Sequence, residues 1–518
     1  MRTVHFEAQR KRPTHSLLKA LIIEAGFNAT EVRERLAMRF LYPLSNQYSI
    51  PPAEISMSDG ADFAHQIRFF LIERSRRHVR FLSDRILKSL GPTTVHIYNS
   101  AALDTGSRDF VSTLSRSGIA MNFLLHSEEA PTGTQLITHV PTPEELTAQR
   151  HARKKGKLTH SEFTELRSAA ERYLNVGDAW TVIPLCERLL EEASDPELHR
   201  IMGIALLLVG KTLEAEAHYL RWRTGGETQS VKANYALAML YARHHPKHLI
   251  NLDQSERYLE EAFNILQDAS PDYPNLTFDQ VFNRNGLALL EYKRGMIERA
   301  AQRVQNGIDR LLNETTPQES LHRVVLIYNV ALCYQTLGRL AEAKETFNEL
   351  IEHDPKMPDY HLELARVHLS LDDHAAALSR INIALSLDGS IAEAHSLRGY
   401  ALAQMGNIEE GLTSLREAFR LDQAFPSYAY DLAYALNEAQ QHHEAQEILK
   451  THLKHVDISE VSADMWSLQA EISSHTGGLN EARTILLEAL EYFPADENIV
   501  ANVGIIESAI DQDKAPHA

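Results

Sequence analysis

The chain has 518 residues, too many for one hydrophobic core unless the architecture grows along one axis as a repeat array. Hydrophobic residues make up 44% and charged residues 24%, and no run approaches the roughly eighteen apolar residues of a membrane span, which excludes a disordered chain and a helical membrane protein. The net charge of −18 is unevenly divided: residues 1–160 hold 22 Lys+Arg against 15 Asp+Glu, net +7, and the remainder 30 against 55, net −25.

Cys186 and Cys333 offer neither a disulfide framework nor a paired metal-ligand spacing, and both read as buried small hydrophobes. The first residues, MRTVHFEAQRKRPTH, are polar and basic and lack the apolar stretch of a signal peptide, so a cytoplasmic location is expected.

In chain order, residues 15–41 read as two helices around Gly26, with Asn28 as N-cap and Glu31 three positions on. A helix-turn-helix can be drawn there, although Glu31 and Glu34 stand among the arginines of its second helix. SIPPAEISMSDG is a loop, and residues 63–90 form a long helix containing RSRRHVR. TVHIYNS then reads as a buried strand, Ser107–Ser117 as a helix and AMNFLLHS as a second strand, together a βαβ unit. The stretch VHIYNSAALDTGSRDFVSTLSRSG resembles the acidic-strand part of the ATPase modules that precede repeats in signalling ATPases. Asn99 stands where that strand would end in a catalytic Asp, and Asp104 is displaced into the next loop, so the resemblance implies a degenerate remnant within an α/β region spanning 1–148. Residues 149–160, QRHARKKGKLTH, form a basic linker expected to rest on the acidic part of the chain in preference to nucleic acid.

Beyond the linker one pattern recurs. The segment IYNVALCYQTLGRLAEAKETFNELIEHDP places Val330, Ala331, Tyr334, Gly338, Ala343, Phe347 and Pro355 on an amphipathic helix, a Gly turn, a second helix and a closing Pro. The small residues of the second helix, Ala343, Ala377, Gly411 and Ala445, follow one another at intervals of 34. A further copy carries Trp466, Gly477, Ala482 and Ala489, and copies toward the amino terminus carry Ala288, Gly295 and Ala300, then Gly203, Gly210 and Ala215. In this order of residue types the chain is similar to the tetratricopeptide repeat family. The resemblance implies a mostly α fold: a right-handed α-α superhelix of about nine hairpins over 161–498. A helix over 499–510 caps it and a disordered tail, 511–518, follows. Gly210-Lys211-Thr212 lies in a hairpin turn of this array; Gly203 precedes it by six residues instead of four and no strand leads in, so it is not a phosphate loop.

The resemblance further implies a concave face, lined by the first helix of each pair, that takes up a peptide or protein segment. Carried over by position, its inward residues are Tyr235, Met239, Asn285, Tyr292, Tyr328, Arg366, Tyr400, Tyr430 and Tyr434. Tyr gives a large contact area with few torsions to freeze and one hydroxyl for hydrogen bonding, although the same rings also serve to pack neighbouring helices. The Lys/Asn clamp by which some relatives grip a terminal carboxylate is not matched, and the acidity of the array favours a basic or apolar segment. His244-His245-Pro246-Lys247-His248 and His442-His443 read as solvated turn histidines. No catalytic residue, metal or cofactor is expected; neither nucleic acid nor membrane is an expected partner, and the oligomeric state is not indicated. The expected function is a non-catalytic adaptor or assembly factor. The alternative is a peptide-sensing regulator whose amino-terminal region contacts nucleic acid or another protein.

Overall fold

A computed structural model describes residues 2–9, 14–61, 71–270, 272–312, 316–458 and 461–514. The expected start of the long helix at residues 63–70 and the end of the tail at 515–518 lie outside them. Among the described residues, 25 α-helices and one three-stranded parallel sheet make a chain that is 72% helical: helical hairpins preceded by a small α/β region, the class that the repeat pattern predicts. Two compact units are present, Met1–Val111 with Met121–Asp372, and Ser112–Ala120 with Asp373–Ala518.

In the first unit β1 (Arg2–Glu7), β2 (Thr93–Tyr98) and β3 (Met121–Leu125) pair in parallel with β2 in the middle, Val4 lying opposite Val95 and Val95 opposite Phe123. The residue pattern assigned no strand to the polar, basic opening segment of the α/β region. Val4, Phe6 and Ala8 are buried at alternate positions, the period of a strand. The first two helices are Ser16–Glu24 and Val32–Leu41, and the cap of the second is Glu31 where Asn28 was expected. The physical reason is Glu34, whose carboxylate reaches back to the N–H groups of Thr30 (2.9 Å) and Glu31 (3.1 Å) and closes a capping box one turn later. Arg33 of that helix hydrogen-bonds His78 Nδ1 at 2.8 Å and lies over the Phe81 ring, so part of its basic face is turned onto the helix Leu71–Leu90.

The two residues that the ATPase-like stretch left in question have structural tasks. Asn99 donates its side-chain amide to the Ala8 carbonyl (3.2 Å), tying the end of β2 to β1. Asp104 accepts from the N–H groups of His15 and Ser107 (both 2.8 Å) and from the hydroxyls of Ser16 (2.5 Å) and Ser107 (2.7 Å), so one carboxylate caps the starts of two helices, Ser16–Glu24 and Thr105–Ser115.

The α/β region docks on the repeats of the same unit through buried charge. Arg77 grips Asp359 through two hydrogen bonds, 3.2 and 2.8 Å, with both side chains buried. Asp354 accepts the Met57 N–H at 2.9 Å, and burial pushes its carboxyl up to about 6. Lys19 pairs with Glu145, both fully buried, and His139 Nε2 lies 3.4 Å from the same carboxylate. Burial opposes ionisation of Glu145, but the neighbouring His139 ring, the Lys19 charge and the Thr142 N–H outweigh it and hold the carboxyl at about 2. Glu145 also completes a capping box with Thr142 at the head of the helix Pro143–Arg153, so residues 149–153 of the expected linker finish a helix. Lys154 then pairs with Glu162 at 2.5 Å, and Arg188 donates to the Gly156 carbonyl at 2.6 Å.

The first unit continues through five hairpins, from His160–Asn175 with Ala179–Leu190 to Pro317–Thr336 with Leu340–His353, and then the helix Pro358–Ser370. The second unit holds His374–Leu387, three hairpins ending at Tyr492, and the closing helix Glu497–Lys514. Ala343, Gly411 and Ala445 are buried where paired helices cross, and Ala377 is buried on the first long helix of the second unit; a Cβ on Gly411 would stand 3.0 Å from the Gly399 carbonyl oxygen, which explains the glycine in that copy. The turn between paired helices is left-handed at Gly338, Asp372, Gly406 and Gln440, with φ of 70°, 56°, 82° and 59°. The repeat geometry therefore imposes this conformation every 34 residues, including the two copies without glycine.

Two outcomes follow from this packing. Arg77→Ala strands a buried carboxylate and should cost about 3–5 kcal/mol in urea unfolding, whereas replacing both partners, Arg77→Met with Asp359→Leu, should cost far less. Gln440→Gly removes a side chain from a left-handed turn and should raise stability by about 0.5–1 kcal/mol in the same measurement, while an unchanged or lowered midpoint would show that the turn is unstrained.

Candidate functional site

Consecutive first helices are joined along one face by polar pairs that recur in register. In the first unit Asn329 donates to Asn285 Oδ1 (2.9 Å) and the Tyr292 hydroxyl meets Thr336 Oγ1 (2.7 Å), each pair spanning 44 positions because the intervening connection is longer. The Tyr328 hydroxyl donates to Glu363 Oε1 at 3.2 Å across 35 positions. In the second unit Ser396 donates to Asp431 Oδ2 at 3.0 Å across 35 positions, and Asn437 to Glu471 Oε1 at 2.7 Å across 34. Asn285, Tyr292 and Tyr328, three of the residues singled out from the repeat pattern, take part in these pairs.

What those residues do differs between the units. In the first, Met239 and Tyr328 are core, each 5% exposed, and the Tyr328 ring packs against Phe347 and Tyr360. Tyr235 is half-buried with its ring centroid 4.1 Å from that of Phe282, and Arg366 stands beside Glu363, Nε to Oε2 3.7 Å. Asn285 and Tyr292 take part in the helix-joining pairs above. In the second unit Tyr400 is 50% and Tyr434 47% exposed. Tyr434 stacks on the half-buried Tyr430, with centroids 6.1 Å apart and planes 12° from parallel, while His374 meets the Tyr400 ring edge-on.

Carboxylates surround this aromatic pair, a feature that the residue pattern did not single out. Burial first, then Asp464, Tyr434, Asp431 and Glu471, push the Tyr430 hydroxyl above its usual range. Burial raises Asp431 as well, against the hydrogen bond from Ser396. Asp431 and Glu471 were findable: each stands 34 or 35 positions after a polar residue on the preceding first helix. The combination of flat rings and carboxylates attracts cations and apolar surface and repels anions.

The histidine clusters depart from the expectation of solvated turns. His245 is 6% exposed, with Nδ1 3.0 Å from Thr212 Oγ1, because the helix Glu227–Met239 runs on into a π-helical turn, Leu240–His244, that carries it inward. His442 is half-buried and stacks on His475 with centroids 4.2 Å apart. Among the described residues no three His, Cys, Asp or Glu side chains are grouped to hold a metal ion. Both cysteines are buried, and burial pushes the Cys186 thiol up to about 12 and the Cys333 thiol to about 11. No helix among the described residues is long and apolar enough to cross a membrane.

A family model described as tetratricopeptide repeat matches residues 325–357, in the first unit, and 392–425, in the second. Among curated proteins the chain is similar to the antiviral innate immune response effector IFIT1 of Macaca fascicularis, 23% identical over 289 residues, which cover 50% of this chain and 60% of that protein. The chain thus matches less than two-thirds of that relative's length. Among solved structures it is similar to PilF of Pseudomonas aeruginosa, at 14% identity and a TM-score of 0.36, covering 45% of this chain and 99% of that one. It is also similar to YrrB, described as a TPR protein with an unusual peptide-binding site, at 15% identity and a TM-score of 0.29, covering 34% of this chain and 90% of that one.

The split between core and exposed tyrosines is measurable. Tyr328→Ala should cost about 3–5 kcal/mol, as a buried aromatic truncation does, while Tyr434→Ala should stay within about 0.5 kcal/mol of wild type in thermal or urea unfolding. Equal losses at both positions would contradict the assignment of Tyr434 to a free surface.

Proposed function

We propose, from the premise that this chain carries tetratricopeptide repeats, that it is a non-catalytic adaptor or assembly factor whose second unit holds an extended basic segment of a protein partner. The repeat fold is that of a protein-interaction scaffold. The observation that carries the finer reading is the strip of Tyr400, Tyr430 and Tyr434 with Asp431, Asp464 and Glu471 beside it. Lys or Arg side chains suit such a strip twice over, by Coulomb attraction to the carboxylates and by cation–π contact with the rings. Backbone of an extended segment finds hydrogen-bonding groups in the two tyrosine hydroxyls that the solvent reaches. A cytoplasmic location belongs to the same reading and is supported by two unpaired, buried cysteines.

The test uses the full chain and a labelled, extended peptide in which Lys and Arg alternate with apolar residues, read by fluorescence anisotropy. Tyr400→Ala combined with Tyr434→Ala should weaken binding on the order of 30-fold, about 2 kcal/mol, with the melting temperature near wild type. Binding should also weaken as salt rises, since the carboxylates supply part of the attraction. A folded double variant with unchanged affinity, or a preference for an acidic peptide, would sink the assignment.

A further inference from the structure

Four segments distant in sequence meet at one cavity of about 580 Å³, lined entirely by residues of the first unit. Arg76 comes from the RSRRHVR helix, and Asp109 from the helix after β2. Gly210 and Thr212 come from the Gly-Lys-Thr turn, and Arg243, His244 and His245 from the π-helical turn and the residue after it. Trp180, Leu207 and Leu208 form an apolar wall. The volume is that of a small-molecule site, and π-helical turns concentrate at functional positions because they are otherwise unfavourable.

The lining selects for an anion. Two arginines face a single carboxylate, Asp109, whose carboxyl burial raises against the pull of His15 and Arg76. The helix Thr212–Trp222 starts at the cavity, and among the described residues its first N–H groups have no side-chain cap. His245, 6% exposed, ties the π-helical turn to the start of that helix: its Nδ1 stands 3.0 Å from Thr212 Oγ1 and its Nε2 3.7 Å from Glu216 Oε2.

We propose that this cavity binds a small organic anion with a flat apolar body, its phosphate or carboxylate held by Arg76, Arg243 and the uncapped helix start, and its ring lying on Trp180. The site is independent of the tyrosine strip in the second unit and makes the protein responsive to a metabolite-sized ligand as well as to a protein partner.

Calorimetric titration of the full chain with AMP and with indole-3-acetate distinguishes the two sources of charge; adenosine and inorganic phosphate report ring and anion alone. One of the two ring-bearing anions should bind at least on the order of tenfold more tightly than either control. Arg243→Ala, at an exposed position, should lower that affinity by about tenfold or more with an unchanged melting temperature, and Arg76→Ala should do the same. Lys211→Ala should leave it within about twofold, because Lys211 does not line the cavity and pairs with Glu214 on the surface. The proposal fails if neither AMP nor indole-3-acetate binds, if binding survives loss of both arginines, or if Lys211→Ala abolishes it while Arg243→Ala does not.

Discussion

The ion pair between Arg77 and Asp359 holds together two parts of the first unit that have little else in common: a small parallel sheet with its helices, and a run of helical hairpins. Two charges buried together are stable only while both are present and fully hydrogen-bonded, so the pair demands one docking position and penalises any other. The hydrogen bond from the Met57 N–H to Asp354 ties the two parts at a further point. The opposite net charges of residues 1–160 and of the remainder thereby acquire a local meaning. Arg77, one arginine of that excess, is matched to a carboxylate on the repeats. His78, enclosed near Arg33, Arg74, Arg77 and Arg39, shows the density of positive charge; burial and these guanidinium groups hold its imidazole well below the usual range.

The docking also creates the cavity. Arg76 is the neighbour of Arg77, so the bond that fixes the helix Leu71–Leu90 carries the next guanidinium to the rim of a space walled by hairpin turns. Turns of the array are a natural source of such walls. Many of them place a left-handed residue just before the start of a second helix, as Gly177, Gly210, Gly295 and Gly338 do in the first unit. Gly177, Gly210 and the π-helical turn at 240–244 all contribute to this one cavity.

The repeats thus offer two surfaces of opposite chemistry on one architecture. The first-helix face of the second unit presents rings and carboxylates, suited to a cationic segment. The turn edge of the first unit presents guanidinium groups and an indole, suited to a small anion. Neither needs a change of fold, because the core positions that hold each hairpin together are small or apolar and leave the outward positions free to vary.

The period of the array was legible from the sequence because close helix crossings admit only small side chains, and Ala343, Ala377, Gly411 and Ala445 mark them at a constant spacing. The β2–helix–β3 unit was legible for a similar reason, each strand being a short apolar run bounded by turn residues. The first strand was not, since its pairing partner lies about ninety positions away and its own alternation is masked by His5, Glu7 and the basic residues after it. The candidate peptide face was legible as a set of positions but not as a surface. Tyr328 and Tyr434 both belong to it by spacing, yet the rings of Phe347 and Tyr360 close over one and leave the other half exposed, a difference set by neighbours in space. The cavity was illegible altogether, although every one of its polar segments drew attention as a motif. Arg76, Asp109, Thr212 and His245 are separated by about 30 to 100 positions from one to the next, and only the packing of the sheet region against the hairpin turns brings them to one site.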